Sequence, residues 1–467
     1  MHQEFVDDKF HDECGVFGIY NSNNWNTAEM TYFGLYALQH RGQESAGIAI
    51  NDNGTIIYHK EMGMVSEVFD DVILSHLHGK MSIGHVRATI SGESQRENAQ
   101  PLVLKYTKGH MALAHNGSLI NANKIRNDLE ERGFLFQSYS DAEVIAALLS
   151  SERIKHHSIE ESLVEVMKQI KGSYSLLIMT PHKLIAARDP LGMRPLCIGK
   201  KDDSYIFSSE TAALETVGAK FIRDVKPGEI VIANEEGMKS IQTEAPKESK
   251  MCIFEFVYFA RPDSIIDGAY VYEARLEAGK ILAKEQPVDA DLVIGVPDSG
   301  LTAAIGYARE SGIPYGDGLM KNRYIGRTFI QPSQEMREQA VRLKLNPFKS
   351  QVEGKRIIMI DDSIVRGTTS KRIVKMLKDA GAKEVHIRIS SPPVYYPCYF
   401  GIDTPHRKNL IANHYSIEEI AKLIGADSLA FLSIEGLKKT PIGAKCGFCT
   451  ACFDGNYPIK VDKEEEK

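Results

Sequence analysis

Lys355-Arg-Ile-Ile-Met-Ile-Asp-Asp-Ser-Ile-Val-Arg-Gly-Thr-Thr369 decides the fold of its half of the chain. Residues 357–360 form an apolar run of the length of a buried parallel strand, and it closes on two adjacent acids, Asp361 and Asp362. A hydroxyl- and glycine-bearing turn follows: Ser363, Ile364, Val365, Arg366, Gly367, Thr368 and Thr369. Helical spacing of Ile373, Val374 and Leu377 comes next. Strand, turn and helix N-terminus in this order bring free backbone N–H groups and the positive end of the helix dipole together, which is the chemistry of a phosphate cradle. Paired acids at a strand tip suit sugar hydroxyls or a metal ion, and apolar packing gives no reason for them. An ordinary surface loop after a parallel strand has no need of all these parts at once.

The chain of 467 residues is long enough for two domains. Its 43% hydrophobic and 25% charged content is that of a soluble globular enzyme. A formal net charge of −6 argues against nucleic acid as the principal partner. No apolar run has membrane-spanning length, and the first residues are too polar and acidic for a secretory signal. Seven unevenly spaced cysteines do not make a disulfide scaffold, so a cytoplasmic location is expected.

The two halves differ in texture. Up to about residue 233, short β-rich runs (15–20, 46–50, 173–179, 230–232) alternate with Gly-rich turns and helices such as 141–149, the mixture of sheets layered with helices. The polar, proline-containing residues 244–250 read as a linker. Beyond them, strands at 292–296, 357–360 and 385–389 alternate with helical segments in the rhythm of a parallel α/β sheet. Val293-Ile-Gly-Val-Pro-Asp-Ser-Gly300 is a second strand-then-loop, with a helix expected near Leu301. The charged tail 463–467 reads as frayed.

In the N-terminal half, Cys14-Gly-Val-Phe-Gly-Ile19 puts a thiol at a strand start with thirteen residues before it. Leu38-Gln-His-Arg-Gly-Gln-Glu-Ser-Ala-Gly47, Gly84-His-Val-Arg87, Ala114-His-Asn-Gly117, Ser140-Asp141 and Arg188-Asp-Pro-Leu-Gly-Met-Arg-Pro195 follow. Taken singly, Cys14 reads as a small buried hydrophobe, Asn116-Gly117 as a turn, and Arg87 or Asp141 as a surface ion-pair member. His40, His85 and His115 need be no more than packed or capping residues. As an ordered set they resemble the class II glutamine amidotransferase domain, an N-terminal-nucleophile hydrolase. The Asp361-Asp362 run resembles the phosphoribosyl pyrophosphate (PRPP) signature of type I phosphoribosyltransferases. Over nearly its whole length the chain resembles the glutamine PRPP amidotransferase family, which opens purine synthesis.

That resemblance implies an α+β, N-terminal-nucleophile αββα domain over 14–243 after a propeptide at 1–13. An α/β phosphoribosyltransferase parallel-sheet domain over 252–420 and a helical, cysteine-bearing extension over 421–467 are expected after it. Cleaving an amide needs a nucleophile, a base and oxyanion donors. A cysteine without a histidine partner has no evident base, but cutting the Glu13–Cys14 bond gives Cys14 its own α-amine, whose ordinary pKa of about 7.7–8.0 suits the task. The resemblance implies Asn116 and the Gly117 N–H as the oxyanion hole, Arg87 and Asp141 for the glutamine carboxylate and ammonium, and Arg41 ordering the nucleophile. It implies PRPP on residues 361–369, with Mg²⁺ at Ser299, Asp361 and Asp362, and Asp298 nearby. The basic stretch 321–349 (Lys321, Arg323, Arg327, Arg337, Arg342, Lys344 and Lys349 against Glu335 and Glu338) is expected to close over the anionic substrate or meet a nucleotide effector.

Cys446-Gly-Phe-Cys449-Thr-Ala-Cys452 holds two overlapping C-x-x-C pairs, which suggest zinc, redox chemistry or an iron–sulfur cluster. The processed members of the family carry a [4Fe–4S] cluster, and the resemblance implies Cys252, Cys398, Cys449 and Cys452 as its ligands. Cys446 is a fifth candidate for four places, and Cys197 reads as a core thiol. Glutamine, PRPP, purine nucleotide inhibitors and a homotetramer complete the expectation. The rivals are a PRPP- or nucleotide-sensing regulator, which has no use for Cys14, Arg87, Asn116 and Asp141, and other class II amidotransferases, which carry a different second half.

Overall fold

The structure is a computed structural model, and it describes residues 14–21, 26–88, 94–243, 248–322, 345–404 and 406–461. Residues 1–13, expected as a propeptide, residues 244–247 of the expected linker, the basic residues Arg323, Arg327, Arg337, Arg342 and Lys344, and the tail 463–467 lie outside these.

Two sheets stack in the first half. In the seven-stranded one, Gly15–Tyr20 runs antiparallel between Met81–Arg87 and Ser204–Ser208. In the six-stranded one, Gly109–Leu119 pairs with Gly172–Met179. All eight residues of Gly172–Met179 are buried, because the strand is covered on both faces. Its side chains alternate with the two-residue period of a strand. Leu176 and Ile178 face helices Asp141–Lys155 and Ile159–Gln169. Leu177 and Met179 meet Val16, Ile83 and Phe207 of the other sheet. That second sheet covers its outer face with helix Thr27–Ala37, through Leu35 against Phe17 and Ile48. The result is the expected order of helices, sheet, sheet, helices.

The second half is a four-stranded parallel sheet in the order Leu292–Gly295, Arg356–Asp361, Glu384–Ile389, Ser428–Phe431. Ile358 and Ile360 point to the layer holding Tyr307, and Ile357 and Met359 to the layer holding Ile373 and Leu377. The last strand lies beyond residue 420, so the sheet runs into the segment expected to be an extension. Its Ser-Leu-Ala-Phe sequence has no β-branched residue and gives a weak strand signal. A two-residue parallel ribbon, Met251–Cys252 with Phe448–Cys449, ties the end of the chain to the entry of this half. Among the described residues no helix is long and apolar enough to cross a membrane.

Candidate active sites

Cys14 lies at the head of the Gly15–Tyr20 strand and is 5% exposed. Among the described residues, its Sγ makes a hydrogen bond to the carbonyl of Ala88 at 3.6 Å, and no histidine side chain engages it. Burial pushes the thiol pKa up, against smaller opposing effects of that bond and Arg87. The group is therefore a neutral thiol that must lose its proton to become a nucleophile.

Cys14 shares a cleft with Arg87, Ala88, Gln100, His115, Gly117, Ser140, Asp141 and Ala142. Arg87 ends the strand beside that of Cys14 and is almost wholly buried, with Glu44 Oε2 3.9 Å away. Asp141 opens the helix capped by Ser140, and its Oδ2 accepts from the Leu119 N–H at 2.8 Å. One cation and one carboxylate thus line the same cleft, as recognition of a free amino acid requires. Asn116 is fully buried, and neither Nδ2 nor Oδ1 has a hydrogen-bond partner among the described residues. An orphaned buried amide is costly, and a ligand atom bound there offsets that cost. Gly117 adopts φ +142°, and a Cβ on it would lie 2.1 Å from the Ser173 carbonyl, so only glycine presents its N–H here.

Arg41 is fully buried at the end of the short Gln39–Arg41 turn. Its Nε donates to the Cys14 carbonyl at 3.2 Å, and its terminal nitrogens reach Glu210 at 2.7 Å and Glu255 at 2.7 and 2.9 Å. Burial alone would lower the guanidinium pKa, and the two carboxylates more than reverse this, so it stays charged. Sequence reading missed Glu210 and Glu255. A signal for the second was present: it is the one acid inside the aromatic and aliphatic run 253–259, and such an acid is buried only with a partner.

At the tip of the Arg356–Asp361 strand, Asp361 and Asp362 are each 1% exposed. Asp362 Oδ1 accepts from the Ser363 hydroxyl at 2.5 Å, and Oδ2 accepts from Ser299, which arrives from the loop after Leu292–Gly295. The Asp362 carboxylate and two hydroxyls drawn together from two loops, with the Asp361 carboxylate accepting from the Asp362 N–H at 2.9 Å, are hard oxygen donors of the kind that fit Mg²⁺. Asp298 is ion-paired with Lys321 at 2.6 Å. Gly367, at φ +80°, is the N-cap of helix Thr368–Asp379 and brings no side chain to cap it. Ile364 and Val365 turn inward, each into a different core layer. They anchor the loop, so any contact they make with a phosphate is through the backbone.

The cysteines sort themselves. Cys252 and Cys449 face each other in register on the two-residue ribbon. Burial pushes the Cys252, Cys449 and Cys452 thiols up, Cys449 to about 12, and nearby thiols among these and Cys398 push each further. Cys446 is pushed up to about 12 by burial and then by Asp267, not by the other thiols. Cys197 is buried in the core of the first half. The Cys252, Cys449 and Cys452 thiols stay neutral because as thiolates they would be desolvated and repel one another, a cost that a bound cation would remove, and soft sulfur donors suit iron–sulfur chemistry. Among the described residues no three His, Cys, Asp or Glu side chains are placed to hold one metal ion.

Residues 85–216 match the glutamine amidotransferase domain model, and residues 274–391 match that of the phosphoribosyl transferase domain. The amidophosphoribosyltransferase of Archaeoglobus fulgidus is 51% identical over 97% of this chain and 99% of its own. That of Bacillus subtilis is 51% identical over 96% and 95%. A solved structure of the B. subtilis glutamine PRPP amidotransferase, complexed with ADP and GMP, is 50% identical and superimposes with a TM-score of 0.90 over 97% of this chain and 98% of that one. With half its residues shared over nearly its full length, and with both domains in the same order, this chain belongs to the amidophosphoribosyltransferase family.

Proposed function

We propose that this protein makes 5-phosphoribosylamine, glutamate and pyrophosphate from PRPP, glutamine and water, the first committed step of purine synthesis. The observation that carries it is that one chain holds both a cysteine cleft lined by Arg87 and Asp141 and an acid-tipped strand leading into an uncapped helix. A sensor of PRPP or nucleotides needs only the second.

In the first half, Arg87 pairs with the α-carboxylate of glutamine and Asp141 with its α-ammonium. After cleavage of the Glu13–Cys14 bond, the α-amine of Cys14 takes the thiol proton as Sγ attacks the side-chain amide carbon. Asn116 Nδ2 and the Gly117 N–H donate to the developing oxyanion. Ammonia leaves, and water releases glutamate from the thioester. In the second half, Asp361 and Asp362 hold the ribose hydroxyls, and the 363–369 amides and hydroxyls hold the 5-phosphate while ammonia displaces pyrophosphate. Ser299, Asp361 and Asp362 would hold Mg²⁺, which would supply neutralisation of charge on the leaving pyrophosphate.

Cys252, Cys398, Cys449 and Cys452 hold a structural [4Fe–4S] cluster. Zinc is the competing group for four thiolates, and iron and sulfide content would separate the two. The same reading includes domains at 14–243 and 252–420 followed by a cysteine-bearing extension, now with the extension's first strand in the sheet. It also includes a cytoplasmic homotetramer controlled by purine nucleotides, which the ADP- and GMP-bound relative supports.

The test is product formation with each substrate omitted in turn, together with intact mass of the active protein. Pyrophosphate and glutamate should appear only with both glutamine and PRPP present, and the mature chain should start at Cys14. Full activity in a chain that keeps residues 1–13 would remove the proposed base. Glutamine use by Cys14→Ser would remove the nucleophile.

A further inference from the structure

The groups that hold Arg41 come from both halves of the chain. Glu255 stands three residues after Cys252, on the first turn of the second half, and grips the guanidinium through both its oxygens. Such a fork fixes orientation as well as charge. That turn is itself tied down by Arg275, which donates to the carbonyls of Phe256, Tyr258 and Ala260. The side chains of Arg41, Glu210 and Glu255 are all inaccessible to solvent, so none of these contacts is a loose surface pair.

A second arm runs parallel to the first. Arg194 lies 3.9 Å from Glu255 Oε1 and donates to the carbonyl of Phe400. The Phe400 N–H in turn lies 3.3 Å from Cys398 Sγ, which accepts from it. Two thiol-bearing segments of the second half therefore meet at Glu255, one directly and one through Arg194, and Glu255 holds the arginine whose Nε donates to the Cys14 carbonyl.

We infer that Glu255 is a positioning residue for glutamine hydrolysis, supplied by the transferase half, which sets the nucleophile through Arg41. The inference rests on Cys14 being the nucleophile. Orientation of the Cys14 carbonyl fixes the backbone at the strand head, and with it the directions of the α-amine and Sγ. Small misplacement of a nucleophile lowers kcat by up to about 10²-fold. Glu255 is not among the residues lining the glutamine cleft, so substrate affinity is left to Arg87 and Asp141.

The test is Glu255→Gln, nearly isosteric but unable to accept both Arg41 bonds, with Glu255→Asp as the charge-preserving companion. Glutamine-dependent kcat should fall about 10- to 100-fold, with the KM for glutamine within about threefold of wild type, and Glu255→Asp should recover part of the loss. Synthesis driven by external ammonia is the folding control and should persist. Unchanged glutamine kcat, or equal losses with glutamine and with ammonia, would overturn the inference. If Glu255→Gln does not fold, the same split is read on Glu255→Asp. Glutamine turnover by Cys14→Ser, measured alongside, would instead locate the failure in the nucleophile.

Discussion

Acidification should destabilise this fold through two histidines, His85 and His115, buried on neighbouring strands of the two stacked sheets. His85 is 0% exposed, and its Nε2 donates to the His115 carbonyl at 3.0 Å. Its Nδ1, and Nε2 of His115, have no partner among the described residues. Burial lowers both pKa values, to about 3 for His85 and about 4 for His115, against hydrogen bonds that raise them slightly. In the unfolded chain each returns to about 6.5. Between those values the unfolded state binds protons that the native state refuses, so the contribution is complete above pH 6.5 and is lost as pH falls toward 4 and then 3. At pH 5 the loss is about 2 kcal/mol for each histidine, a large share of the ~5–15 kcal/mol that holds a domain folded. Urea unfolding of wild type and His85→Gln should be followed by circular dichroism from pH 7.5 to 5. Subtracting one curve from the other removes the carboxylate titrations common to both. Wild type should lose about 2 kcal/mol relative to the variant over that range. A difference that does not change with pH, or one of opposite sign, would show that His85 is not held neutral by its surroundings.

Two further expectations concern the second half. Asp362→Asn should cut phosphoribosylamine synthesis on the order of 10²-fold from glutamine and from ammonia alike, read as pyrophosphate release; normal ammonia-driven release would remove Asp362 from the PRPP site. Anaerobically purified Cys446→Ser should stay brown, with about four iron and four sulfide per chain, whereas Cys449→Ser should be colourless. The reverse pattern would keep the cluster and exchange its ligands.

Local features of the fold were readable because they depend on short-range periodicity. The 357–360 run, its two acids and the helix after it lie within one stretch of chain, and the structure places them as Arg356–Asp361 and Thr368–Asp379. Strands buried on both faces, such as Gly172–Met179, show as continuous apolar runs for the same reason. Pairings that depend on distant segments left almost no trace. The Met251–Cys252 ribbon has two residues per strand, too few for any period, yet it is what aligns Cys252 with Cys449. Ser428–Phe431 becomes a strand only because Glu384–Ile389 offers it an edge. The inward turn of Ile364 and Val365 depends on two core layers built from other elements.

Arg41 and Glu255 are 214 residues apart, and no spacing rule connects them. What sequence does contain is the chemical oddity of each: an arginine in a turn not far from Cys14 and an acid in an aromatic run. Burying either alone costs several kcal/mol, so each implies a partner without identifying it. Replacing both with apolar residues could make the pair's energetics neutral or better, which means that stability does not explain why it is there. Geometry does. A bidentate ion pair admits few orientations, and this one joins the carbonyl of Cys14 to the turn that follows Cys252. Ammonia made at the first site is useful only if the second is assembled, and it is lost to water otherwise. On the proposed reading, support for Cys14 built from the transferase half makes an intact glutaminase conditional on an intact neighbour.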